Sequence, residues 1–263
     1  MLKNVNILGY PTSASGLLGD IDTAWELVKS GGKGKYIACS NPHSLVVAQS
    51  DPYFNKSLED ADILLPDGIG IVLAAKILGI DLKERVAGSD FYMGLSEKAD
   101  KNGGLNYFFL GSTEEVLEKI TIRLSKEFPH INVCGILSPP FKSEFSEEDN
   151  LKMIEQINNA KPDVLWVGMT APKQEKWIYQ NKDKLNVPLM GAIGAVFDFY
   201  AGTVQRSPEW AIKMGLEWLP RLLREPRRLF RRNFISSPLF LLMVFKARCR
   251  KVEWKKMFNE IKK

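Results

Sequence analysis

The sequence predicts an α/β fold: a parallel sheet with helices on both faces, followed by a basic helical appendage. Three observations carry that expectation. Short runs rich in Val, Ile and Leu alternate with helical patterns, as in strands joined by crossover helices. Several of these runs lead at once into a helix start signal. The composition changes abruptly near residue 210, where a segment dense in Arg, Lys, Leu, Phe and Trp begins.

Taken in order, the first predicted strand is Asn4 to Leu8 and the second is Lys35 to Cys39. The second runs into Ser40 and Asn41 with Pro42 behind them, an N-cap residue followed by proline at the first helical position. Ile63 to Leu65 is a third strand; Pro66, Asp67 and Gly68 then turn the chain into an apolar helix from about Ile69. Asn106 to Leu110 is a fourth. After it Ser112 and Thr113 supply a cap, and Glu114 and Glu115 place acids in the first turn of a helix running towards Phe128. Ile131 to Ile136 is a fifth strand, and Ser146 with Asp149 three residues on forms a capping box for a helix reaching Asn159. Val164 to Val167 and Pro188 to Ala192 complete the set. Such an alternation gives a Rossmann-like core whose ligand loops gather at the carboxyl ends of the strands. The expected organisation is an α/β core over 1–210 and an appendage over 211–263.

A chain of 263 residues, 45% hydrophobic and 25% charged, can bury a full core, which excludes disorder of the whole. Cys39, Cys134 and Cys249 are widely spaced and form no ligand cluster, which favours a reducing compartment and argues against structural zinc. The opening MLKNVNILGY has no basic region leading into a long apolar run, so no secretory signal is expected. Pro238 to Phe245 falls short of the roughly 20 residues that cross a bilayer. Net charge is +5, unevenly spread: Lys213 to Lys263 holds 15 Lys/Arg and 4 Asp/Glu, so the preceding residues are acidic overall. A basic tail on an acidic body points to a polyanion partner, whether anionic lipid, a phosphorylated ligand or nucleic acid.

Four constellations could carry chemistry. Asp67 sits at the mouth of a strand beside a helix N-terminus, where a carboxylate can act as general base or simply cap the helix. Asn41 reads first as an N-cap, and His43, with no ligand partner at metal spacing, as a surface or packing residue. The loops GSTEEV, with Gly111 and Ser112, and GMTAPKQEKW join strand to helix through Gly and hydroxyl residues, which suits phosphate binding by backbone N–H groups. Asp20/Asp22 and Asp60/Asp62 are Asp-x-Asp matches that look incidental to metal binding, and no metal site is expected. In the tail, Arg221, Arg224, Arg228 and Arg231 fall at i, i+3, i+7 and i+10 on one helical face beside Leu and Phe, the composition of an interfacial helix, with Pro226 expected to break it in two.

The ordered motifs NPHSLVVAQ, LLPDGIGIVLAAK, ERVAGSDF, WVGMTAPKQEKWI, GAIGAVFDFYAGTVQRSPEW and GLEWLPRLLREPRRLFRRN together resemble the WecG/TagA/CpsF family of glycosyltransferases, from about residue 5 to residue 235. The resemblance implies inverting transfer from a UDP-sugar to an undecaprenyl-diphosphate-linked acceptor, in teichoic acid or other surface-polysaccharide assembly. It implies no cofactor, no metal requirement, and a peripheral location on the cytoplasmic face of the cell membrane, against anionic lipid. It assigns the base to Asp67, substrate contacts to Asn41, Arg85 and Gln174, and diphosphate contacts to Arg221, Arg228 and Arg231. Cys39 stands where teichoic-acid members carry Thr, and a thiol is a weaker hydrogen-bonding group than a hydroxyl. The donor sugar therefore stays open among N-acetylmannosamine, its uronic acid and glucose; homo-oligomerisation stays open too. The rival reading is a non-catalytic nucleic-acid-binding module using the tail. Its arginines are interleaved with Leu rather than with stacking aromatics. A dinucleotide-dependent dehydrogenase would need fingerprint glycines that are missing.

Overall fold

The computed structural model describes residues 3–208, 210, 211, 214 and 218–261, with side chains up to residue 250 except that of Arg228. Among the described residues eight strands form one sheet: β1 (Asn4–Ile7), β2 (Tyr10–Ser13), β3 (Lys35–Ser40), β4 (Ile63–Pro66), β5 (Asn106–Gly111), β6 (Asn132–Leu137), β7 (Val164–Gly168) and β8 (Leu189–Ala192). Their spatial order is β1-β2-β4-β3-β8-β7-β5-β6, and every neighbouring pair is parallel except β1 and β2.

The antiparallel β1–β2 hairpin differs from the expected all-parallel sheet, and β2 itself was not predicted. The hairpin turns at Leu8 and Gly9, both with positive φ, at 54° and 102°. Pro11 stands inside β2 opposite Asn6. A proline cannot donate to a ladder, and β2 meets its other neighbour β4 only through Thr12 and Leu64.

The central strands bury both faces, which is why they read as continuous apolar runs. Along β3, Tyr36 and Ala38 point to one core and Ile37 to the other; along β7, Leu165 and Val167 oppose Val164 and Trp166. The first core is covered by α2 (Pro42–Ala48), α3 (Pro52–Glu59), α4 (Ile69–Leu78), α7 (Glu147–Ala160) and α8 (Lys173–Asn181). The second is covered by α1 (Gly16–Lys29), α5 (Gly88–Lys101), α6 (Glu114–Glu127) and α9 (Val196–Ala201).

The predicted caps form. Asn41 accepts the Ser44 N–H while Ser44 Oγ accepts the Asn41 N–H, and Ser146 makes the same reciprocal pair with Asp149. Thr113, rather than Ser112, caps α6.

The C-terminal segment divides as the proline requires. Helix α10 (Trp218–Arg224) stops before α11 (Pro226–Phe230), a π-helical turn covers Arg231–Ser236, and α12 (Ser237–Ile261) follows. The four arginines therefore do not lie on one continuous helix. Phe240 and Val244 of α12 are fully buried and share the first core with α2 and α4. Among the described residues, no helix is long and apolar enough to cross a membrane.

Candidate active site

Of the residues singled out by sequence, Cys39, Asn41, Asp67 and the Arg85 loop come together at the carboxyl ends of β3 and β4. Asp67 follows β4 directly. Its backbone N–H donates to Ser40 O at 2.8 Å and Leu65 O at 2.9 Å, so the turn is pinned to the end of β3. Gly68, with φ of 106°, takes the N-cap position of α4, so Asp67 stands one residue outside the helix, half-buried. Only glycine adopts that φ without strain.

Asn41, one residue past β3, accepts the Ser44 N–H at its Oδ1 at 3.0 Å. Cys39, at the end of β3, is half-buried, with its Sγ against Gly88 at the start of α5. Burial, then the Asp67 and Glu175 carboxyls, push its thiol well above the usual range, so Cys39 is a neutral thiol that lies within electrostatic reach of both acids. The Arg85 loop is tied to the same place, since Val86 N–H donates to Pro66 O at 3.1 Å. Arg85 Nη2 lies 3.7 Å from Asp90, which also takes Arg206 at 2.8 Å.

After β7, two strands from β3 in the sheet, Gln174 and Glu175 occupy the first turn of α8. The buried side of that helix is formed by residues 174, 175, 177, 178 and 181, a helical stripe that places two polar side chains inside. Helix α8 is held by the Lys176–Asp51 ion pair at 2.9 Å and by Trp177 Nε1 donating to Asn150 at 2.8 Å. Gln174 Nε2 donates to Glu175 Oε1 at 2.8 Å. Burial pushes the Glu175 carboxyl up to about 7, against the lowering effect of that bond. Glu175 had no role in the sequence reading, because an acid in a first helical turn reads as a dipole partner. The signal that could have found it is its place on the apolar stripe.

Gly111 and Ser112 lie at the end of β5, three strands from β3 in the sheet, at the far part of the same edge. Gly111, with φ of 119°, packs on Gly168, and Gly168 in turn packs on the Phe197 ring. The small residues of both loops thus bring backbones together, and Ser112 O accepts from Ser138.

The Asp-x-Asp matches separate. Asp20 is buried and accepts from Ser13 Oγ, whereas exposed Asp22 pairs with Lys98 at 2.6 Å. Asp62 binds the Tyr36 N–H at the opposite end of the sheet. Among the described residues there is no group of three or more His, Cys, Asp or Glu side chains fit to hold a metal ion.

The C-terminal segment sits over this edge. His43 Nδ1 meets Ser236 Oγ at 2.8 Å, and burial, then Arg232 and Arg231, lower the His43 pKa. The Arg221 guanidinium lies 5.2 Å from the Phe199 ring on α9. Arg231 is exposed. The Arg228 side chain is outside the described residues.

Residues 5–253 match the model of the Glycosyl transferase WecG/TagA/CpsF family. The chain belongs to this family. It is a glycosyltransferase. It is 32% identical over 214 residues to the N-acetylglucosaminyldiphosphoundecaprenol N-acetyl-beta-D-mannosaminyltransferase of Bacillus spizizenii, covering 81% of this chain and 80% of the relative. The Bacillus subtilis protein of the same name is 30% identical over 216 residues, with the same coverage. The Staphylococcus aureus protein of that name is 27% identical over 221 residues, covering 83% of this chain and 82% of the relative.

Proposed function

We propose that the chain transfers N-acetylmannosamine from its UDP derivative, with inversion, onto N-acetylglucosamine carried by undecaprenyl diphosphate, at the cytoplasmic membrane surface. The substrate assignment follows the names of the relatives, each matched over about four-fifths of both chains. The mechanism rests on one observation: Asp67 stands outside its helix at the sheet edge, with Asn41 and the Arg85 loop tied to the same strand ends.

In this mechanism Asp67 takes the proton of the acceptor hydroxyl as that oxygen attacks the anomeric carbon from the face opposite UDP. The glycosidic bond forms as the bond to the diphosphate breaks, and negative charge accumulates on the leaving group. Arg221, Arg228 and Arg231 are the groups proposed to receive it, through charge-assisted hydrogen bonds. Asn41, Arg85, Gln174 and Cys39 line the sugar, and the Gly111–Ser112 turn extends the donor side. Residues 1–210 then act as the α/β core and 211–263 as the appendage that completes it.

Attachment to the lipid surface is supported by a run of outward apolar side chains, Phe230, Phe234, Ile235, Leu239, Leu242 and Phe245, each at least 45% exposed and mixed with Arg and Lys. Such a surface suits headgroups better than water. No structural observation favours the nucleic-acid reading.

The test is Asp67→Asn assayed with UDP-N-acetylmannosamine and a short-chain lipid-diphosphate N-acetylglucosamine acceptor. Loss of a general base lowers kcat by roughly 10²–10⁴-fold. Turnover near the wild-type rate would remove Asp67 from the reaction.

A further inference from the structure

The mechanism above leaves unused a buried carboxyl, Glu175, which acts with Asp67 on the Cys39 thiol. Glu175 is 2% exposed and Gln174 4% exposed, on the first turn of α8. They are joined by one hydrogen bond, Gln174 Nε2 to Glu175 Oε1 at 2.8 Å. Gln174 Oε1 and Glu175 Oε2 are then left buried with no hydrogen-bond partner. A buried amide oxygen without a donor is costly, and native structures rarely keep one unless a ligand or water supplies it.

The Gln174 head faces Gly194, in the loop after β8, where an added Cβ would lie 3.2 Å from Oε1 and 3.3 Å from Nε2. A Cβ there would be tight against the amide, so the bare glycine is what lets the Gln174 head pack against this loop at the carboxyl ends of the strands. A role for Glu175 as an ordinary acid of the helix N-terminus does not explain why its bonded partner is a side-chain amide or why that amide points its oxygen away.

We propose that Glu175 is a positioning residue: it holds Gln174 by the amide nitrogen, so that Gln174 Oε1 is presented to accept a hydroxyl or acetamido N–H of a substrate sugar. The bond to Glu175 fixes which end of the amide is left to meet the substrate. Without it the amide can rotate and present its N–H₂ group, which repels the same donor. This rests on the reading that the crevice holds the sugar substrates.

The test compares Glu175→Leu, Glu175→Met and Glu175→Gln in the full-length chain. KM is measured for UDP-N-acetylmannosamine and for the lipid-diphosphate N-acetylglucosamine acceptor, and inhibition by UDP alone reports the nucleotide site. Either apolar variant raises KM for one sugar substrate on the order of 10-fold while inhibition by UDP is unchanged. Glu175→Gln retains wild-type values, because its amide oxygen still accepts the Gln174 N–H. In a Gln174→Ala background, Glu175→Leu has no further effect. Unchanged KM values in both apolar variants, parallel loss of sugar and UDP binding, or full additivity with Gln174→Ala each overturns the inference while the transfer reaction stands. A wild-type chain that transfers from no UDP-hexosamine removes the proposed function, and this inference with it.

Discussion

Glu175 makes a prediction about stability that needs no substrate. Its carboxyl is raised from an ordinary value of 4.5 to about 7, by burial first, with the Gln174 bond and its own backbone N–H acting in the other direction. The folded chain therefore holds a proton that the unfolded chain releases near pH 4.5. As pH rises between those two values the unfolded state gains and the fold loses, and the loss is complete above about 7. At 1.36 kcal/mol for each pH interval, the fold gives up about 3 kcal/mol across that window because of this one group. Glu175→Gln cannot ionise, so it escapes the loss. Urea unfolding of wild type and Glu175→Gln at several pH values from 4.5 to 8 measures it. Comparing the two slopes cancels any fixed cost of the new amide. The stability difference should move in favour of the variant by about 3 kcal/mol as pH rises. Parallel curves would mean that the carboxyl ionises freely in the folded chain, and the reasoning from its burial would fail.

Three further outcomes follow from packing. Gly168→Ala drives a Cβ into the Phe197 ring, which stacks edge-on to Phe109 at 5.5 Å, and should destabilise the fold by about 1–3 kcal/mol in denaturant titration. Phe240→Ala empties a fully buried site in the core shared with α2 and α4; a cost of about 3–5 kcal/mol is expected, and a fall of less than about 1 kcal/mol would mean that α12 does not share that core. Replacing exposed Leu241, Leu242 and Phe245 together by Ser should release the chain from anionic vesicles in a flotation assay without lowering its unfolding midpoint, and undiminished flotation would refute the membrane surface proposed here.

What could be read from the chain depended on whether the cause was local. Strands β3, β4, β5 and β7 came within two residues because double-sided burial writes itself as runs of Val, Ile, Leu and aromatic residues. Asn41, Ser146 and Thr113 were legible as caps because a cap is decided by a few neighbouring residues. Strand β2 was missed because Tyr-Pro-Thr-Ser carries turn chemistry, and its strand geometry is imposed by β1 and β4. The placing of Asp67, Asn41 and Arg85 together follows from β3–β4 adjacency, which the pattern of strands suggests but does not order. Their ranking as site residues came from ordered motifs rather than from any one of them. Glu175 was hidden because burial is a property of the packed helix: the same Glu on a surface helix would be an ordinary first-turn acid.

The position of the C-terminal segment bears on how location and chemistry are linked. A tail attached only by a hinge could bind lipid without any effect on the sheet edge. Here α12 sends Phe240 and Val244 into the core that α4 also covers, and α4 begins two residues after Asp67. The π-helical turn before α12 bonds through Ser236 to His43, on the helix that Asn41 caps. The two helices whose N-termini flank the proposed base are thus the ones on which the basic segment rests. Helix α12 and the helix that follows Asp67 are thus joined through one close-packed core. If the exposed apolar side of α10, α11 and α12 meets a lipid surface, the site is held at a fixed height and orientation over that surface. A long, membrane-embedded acceptor could then present its sugar to Asp67 with little reorganisation of either partner.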